Sequence, residues 1–128
     1  MRALLTALAL TVLATPACAA LAPQYYEEAR DKAPNVVVFD VLGVATPRGE
    51  AGNCMVTGKV IRAERGTKYK PGDTLLIAVP CRSPRAPVRV GGTVWQDMEA
   101  LVRSAHGKAY LDDHGELALD QYQLYDLH

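Results

Sequence analysis

The sequence has no surplus of charge: 14 Lys and Arg stand against 14 Asp and Glu in 128 residues. A balanced chain carries no long-range field to draw a polyanion, so nucleic acid and anionic membrane surfaces are not expected partners. Serine is scarce. Only Ser83 and Ser104 occur, and neither stands in a G-x-S-x-G elbow, which argues against a serine hydrolase. His106, His114 and His128 have no helical i,i+4 partner and no cysteine pair to complete a zinc site. No glycine-rich phosphate loop is present. Asp112, Asp113, His114 and Glu116 crowd one turn but lack the alternating oxygen ligands of an EF-hand loop. They read as a solvated hairpin turn. A glycosidase pair is defined in space rather than along the chain, and nothing in the sequence selects one. No catalytic residue, metal or cofactor is expected, and the chain reads as a non-enzyme.

Long apolar runs are also missing beyond the N-terminus, so no transmembrane segment is expected. The N-terminus itself is different. Met1-Arg2 is followed by an apolar run from Ala3 to Ala14, a Thr15-Pro16 break and the small-x-small group Ala17-Cys18-Ala19. That pattern is a secretory leader cleaved after Ala19, which makes 1–19 a signal peptide and the product periplasmic or secreted. The alternative is a lipid anchor on Cys18. A lipoprotein signal favours a bulky aliphatic residue three positions earlier, where this chain has Thr15.

Cleavage reduces three cysteines to two, Cys54 and Cys81, and an even count in an oxidising compartment favours a disulfide. A redox-active pair usually has closely spaced cysteines at a helix start. These two stand far apart on strands. Cys54, Val56, Gly58 and Val60 alternate on one face of a first strand, and Leu75, Ile77, Val79 and Cys81 on one face of a second. Between them, Tyr69-Lys70-Pro71-Gly72-Asp73 is a turn, with proline presetting φ and glycine accepting φ > 0. The expected result is a disulfide-stapled β-hairpin. A symmetric turn does not bring the two cysteines directly opposite, so a bulge near Gly58 or Pro71-Gly72 is expected to correct the register.

Around this hairpin the chain falls into short elements. Residues 20–34 hold a helix over Leu21 to Ala33, ended by Ala33-Pro34, with Tyr25, Tyr26 and Ala29 packing as a lid. Asn35 to Val44 is a strand so continuously apolar that both faces must be covered for part of its length. Arg82 to Gly92 is irregular and basic. Thr93-Val94-Trp95 is a short strand whose tryptophan belongs to the core. Asp97 to Ser104 is a helix with Met98, Leu101 and Val102 on one face. Lys108 to Asp112 and Glu116 to Tyr125 form a second hairpin about Asp113-His114-Gly115. The predicted class is all-β: a small five-stranded OB-like barrel over 35–128, with a short N-terminal helix and one inserted helix.

The run Cys54-x-Val56-x-Gly58-x-Val60, then Tyr69-x-Pro71-Gly72-Asp73-Thr74 and a strand ending in Pro80-Cys81, resembles the netrin-like module, which includes the tissue inhibitors of metalloproteinases. Ala109-Tyr110-Leu111 and Leu119-Asp120-Gln121-Tyr122 are similar to its closing strands. The same pattern also resembles small exported proteins of proteobacteria. The resemblance implies an OB-like barrel. The inhibitors chelate zinc through an N-terminal cysteine and carry several N-terminal disulfides; a matching terminus here would need cleavage just before Cys18. The functional expectation is a non-catalytic binding module of the bacterial envelope, with a face and rim of Arg62, Lys68, Tyr69, Arg82, Arg85 and Arg89 toward an anionic glycan or an envelope protein. The alternative is an inhibitor of a periplasmic or secreted hydrolase that inserts the Arg82 to Gly92 loop.

Overall fold

A computed structural model describes residues 21–87 and 91–125. The signal peptide expected over 1–19, Cys18, Arg89 and His128 lie outside the described residues. The chain runs α1 (Pro23–Lys32), β1 (Asn35–Ala45), β2 (Ala51–Arg65), β3 (Thr74–Arg82), β4 (Gln96–Asp97), α2 (Met98–Arg103), β5 (His106–Leu111) and β6 (Leu117–Leu124). The strands form one mixed, curled sheet in the order β4-β3-β2-β1-β5-β6. The sheet has six strands rather than about five. The smallest is the two-residue β4, which pairs parallel to β3 at Cys81 and Arg82 alone.

β1 is the centre of the sheet. It pairs with β2 along its length and with β5 from Asn35 to Asp40. Val36, Val37, Val38 and Phe39 are all buried, as the unbroken apolar run requires. Val37 and Phe39 enter the main core, whereas Val36 packs with Ala33 and Tyr110 in a smaller cluster. A bulge between Val41 and Gly43 leaves Leu42 unpaired and bends the strand. Phe39 lies over the two glycines Gly58 and Gly107, which leave its ring a slot that a side chain would fill.

The β2–β3 hairpin buries Cys54, Val56, Gly58 and Val60 from one strand and Leu75, Ile77, Val79 and Cys81 from the other. Cys54 and Cys81 form a disulfide with a Cα–Cα distance of 5.8 Å. Its register differs from expectation. The β2–β3 ladder has no bulge; Cys54 stands opposite Val79 and Cys81 opposite Gly52. The bridge joins a diagonal pair on the same face, so no correction at Gly58 or Pro71-Gly72 is needed.

Three further local readings change. The strand expected at Thr93–Trp95 forms instead at Gln96–Asp97, because the Val94 amide donates to the Asp120 carboxylate (3.4 Å). Trp95 is half-buried rather than a core residue. In α2 Leu101 is fully buried, but Val102 is 49% exposed. Asp97 caps this helix, its Oδ1 accepting from the Glu99 amide at 3.0 Å. α1 docks mainly through polar groups. No residue within it is buried, the Tyr26 hydroxyl donates to the Gly92 carbonyl (2.7 Å), and Arg30 donates to Gln121 Oε1 (2.5 Å).

Candidate functional site

The outward faces of β2 and β3 carry the side chains that alternate with the core. On β3 these are Thr74, Leu76 and Ala78, and all three are exposed. Leu76 is 61% exposed, an uncommon place for a leucine in the middle of a strand. Beside it lies a groove of about 420 Å³. Met55, Leu76, Ala78 and Leu117 line it together with the polar Asn53, His114, Glu116 and Asp120. No lysine, arginine, phenylalanine, tyrosine or tryptophan lines it.

The groove is bounded by two interlocked loops. In the β5–β6 turn, Asp112 Oδ1 accepts from the amides of His114 (2.8 Å) and Glu116 (3.0 Å), and Gly115 takes φ +81. Against it packs the β2–β3 turn, where Lys68 Nζ donates to the Asp113 carbonyl at 2.7 Å and Tyr69 approaches Gly115. The amides of Glu116 and His114 hold the Asp112 carboxyl below its ordinary range. Burial, with the nearby Asp112 charge, pushes the Tyr69 phenol up. A carboxylate whose folded-state pKa is depressed contributes stability above its unfolded value and loses it as the pH falls through the folded one. Asp112→Asn is therefore expected to flatten part of the acid limb of a stability profile between about pH 5 and pH 2. Chemical denaturation at stepped pH checks this, and an unchanged acid limb refutes it.

The groove is also bounded by a strained excursion. The β5–β6 ladder breaks between Ala109 and Leu111, and within the excursion Leu119 (φ 45) and Asp120 (φ 58) both adopt the left-handed region. For a leucine this costs about 1 kcal/mol or more, and such strain gathers at functional positions. The excursion is pinned by Gln121 Nε2 donating to the Leu119 carbonyl (2.8 Å) and by Arg30 on Gln121. Farther along, Gln96 Nε2 donates to the Tyr122 carbonyl at 3.0 Å, so β4 bridges β3 to β6 at that end.

No family model matches the chain, and no curated protein or solved structure matches it significantly.

Of the six residues singled out in the sequence, the five that are described fall in separate places. Lys68 and Tyr69 brace the β5–β6 turn, with the Lys68 ammonium 5.8 Å from the Tyr69 ring centre. Arg62 lies on β2, where it donates to the Tyr125 hydroxyl (2.7 Å) and stacks on that ring at 5.5 Å. Glu64 beside it is held below its ordinary pKa, first by the Lys108 hydrogen bond at 2.8 Å. Arg82 is at the far end of β3 with Arg85 just beyond, about 26 Å along the strand from Thr74. Arg82 neighbours Trp95 and Asp97 across a small hollow. Among the described residues no group of three or more His, Cys, Asp or Glu is placed to hold a metal ion. Among them, too, no helix is long and apolar enough to cross a membrane. The groove itself escaped the sequence reading. Its signal is the run Thr74 to Pro80, where the outward positions 76 and 78 are apolar in a strand whose inward positions are apolar as well.

Proposed function

We propose that the chain is an exported, non-catalytic binding module of OB type, and that its ligand face is the outer side of β2 and β3. The leader-like N-terminus and the disulfide support export. The strand order β3-β2-β1-β5-β6, the helix between β3 and β5, and the approach of β6 to β3 support an OB-like, partly open barrel. They are in keeping with the netrin-like resemblance. In such barrels the second and third strands and the loops beside them form the binding surface. The observation that carries the reading is Leu76: an exposed leucine beside Met55, Ala78 and Leu117 in a groove bounded by a braced turn and a strained excursion. Exposed apolar surface with a polar rim marks binding sites.

Capture from envelope extract tests it, with the wild-type chain compared against Leu76→Glu and against Arg62→Ala/Arg82→Ala/Arg85→Ala. A captured species lost with Leu76→Glu and retained by the arginine variant is the expected result. Loss with the arginine variant alone, or equal capture by all three, would overturn the assignment of the face.

A further inference from the structure

β3 has an incomplete edge. Among the described residues, on the side away from β2 only Cys81 and Arg82 find a strand partner, the two residues of β4. From Thr74 to Pro80 no ladder joins β3 to β6, although the two strands approach one another. The groove lies along this stretch, between β3 and the β5–β6 turn. Upstream of β4 the chain leaves the edge, because the Val94 amide turns to Asp120 on β6. The molecule thus begins a strand on the β3 edge and does not continue it.

We propose that the groove takes an extended peptide segment of a partner protein, which continues the strand position of β4 along β3 and sets a basic side chain against Glu116 and Asp120. The inference rests on the ligand face proposed above. Three observations select a peptide. A free strand edge offers backbone donors and acceptors that another extended backbone satisfies, and β4 already does so at Cys81 and Arg82. Leu76 and Ala78 repeat at every second residue, matching the alternate side chains of a strand. The lining has two carboxylates against one histidine, His114, and no lysine or arginine, a balance that complements a cationic side chain better than a phosphate or an acidic sugar. It also lacks any large aromatic side chain on which a base would stack. Pro80 offers no N–H, which limits the added ladder to the residues before it.

The test is selection from a random dodecapeptide library displayed on phage, with the full chain as bait and Leu76→Glu as the counter-bait. Leu76 is on the outer face, so the variant is expected to melt near the wild type, and a thermal scan verifies that before selection. The expected outcome is a family of clones with alternating apolar residues and a lysine or arginine. A synthetic peptide of that family should bind more than about tenfold more weakly to Leu76→Glu and about two- to fivefold more weakly to Glu116→Gln. Methylating its alternate backbone nitrogens on the edge-facing side should abolish binding, and the amides of Leu76 and Ala78, which face away from β2, should gain hydrogen-exchange protection when it binds. No enrichment over the counter-bait overturns the peptide, as does binding that survives backbone methylation. A saccharide captured through Leu76 in the preceding experiment would overturn the peptide and leave the binding face standing. Loss of both results would sink both readings.

Discussion

Replacing Cys54 and Cys81 together by alanine is expected to lower the melting temperature by about 15 °C. The bridge spans a sequence separation of 27 and ties β2 to β3. Chain entropy for a loop of that size corresponds to about 3.5 kcal/mol. A domain of this size commonly has about 5–15 kcal/mol in total, so the loss is a large fraction of its stability. Alanine is the appropriate replacement because both cysteines are fully buried. Serine would add hydroxyls without partners and exaggerate the effect. Burial also predicts a kinetic signature. A reductant must reach a sulfur to attack it, and neither cysteine is exposed. Dithiothreitol in native buffer is therefore expected to leave the bridge intact, while the same reductant in moderate denaturant opens it. Alkylation followed by mass spectrometry reads both. Rapid native reduction, or an alanine pair that melts with the wild type, would show that the bridge is peripheral.

Gly107→Ala is expected to cost about 3 kcal/mol, the upper part of the range for overpacking a closed core. A Cβ at 107 would lie 2.6 Å from Phe39 Cζ and nearer still to the Tyr122 hydroxyl. At Gly58 it would lie 2.9 Å from Phe39 Cγ. Both glycines and Phe39 are buried, and the Phe39 and Tyr122 rings are 5.9 Å apart, so the ring has nowhere to retreat. The mechanism is separable from a general dislike of alanine. Phe39→Leu shortens the ring that clashes, so the double variant should recover part of the loss. Tyr122→Phe should recover part as well, since it removes the hydroxyl that the new methyl would meet first. Denaturant midpoints of the four proteins in each cycle settle it. Purely additive losses would refute the slot.

The alternation at Cys54, Val56 and Val60 and at Leu75, Ile77 and Val79 was legible because strand faces repeat every second residue and the core accepts one face only. The helix at Asp97 was legible through its cap and its buried Leu101. Other features depend on distances along the fold that no local pattern carries. The diagonal position of the disulfide follows from the β2–β3 ladder, which a symmetric turn does not reveal. The excursion at Leu119 and Asp120 has neither glycine nor asparagine to announce its positive φ; Arg30, 91 residues away from Gln121, helps to hold it. The rim of basic residues looked like one surface in sequence because Lys68, Arg82 and Arg85 flank one strand. That strand's length carries Arg82 and Arg85 away from Lys68. The groove was hidden for a related reason: the alternation turns Leu76 outward, but nothing local places the β5–β6 turn beside it.

The central position of β1 has a consequence in time. Its first ladder partner, β2, follows at once in the chain, but its second, β5, ends only at Leu111. A chain emerging from its N-terminus can form the first three strands early and must wait for the last hairpin before the other edge of β1 is covered. Contacts so distant in sequence slow folding. Until they form, one edge of the most apolar strand stays open to any other strand that meets it.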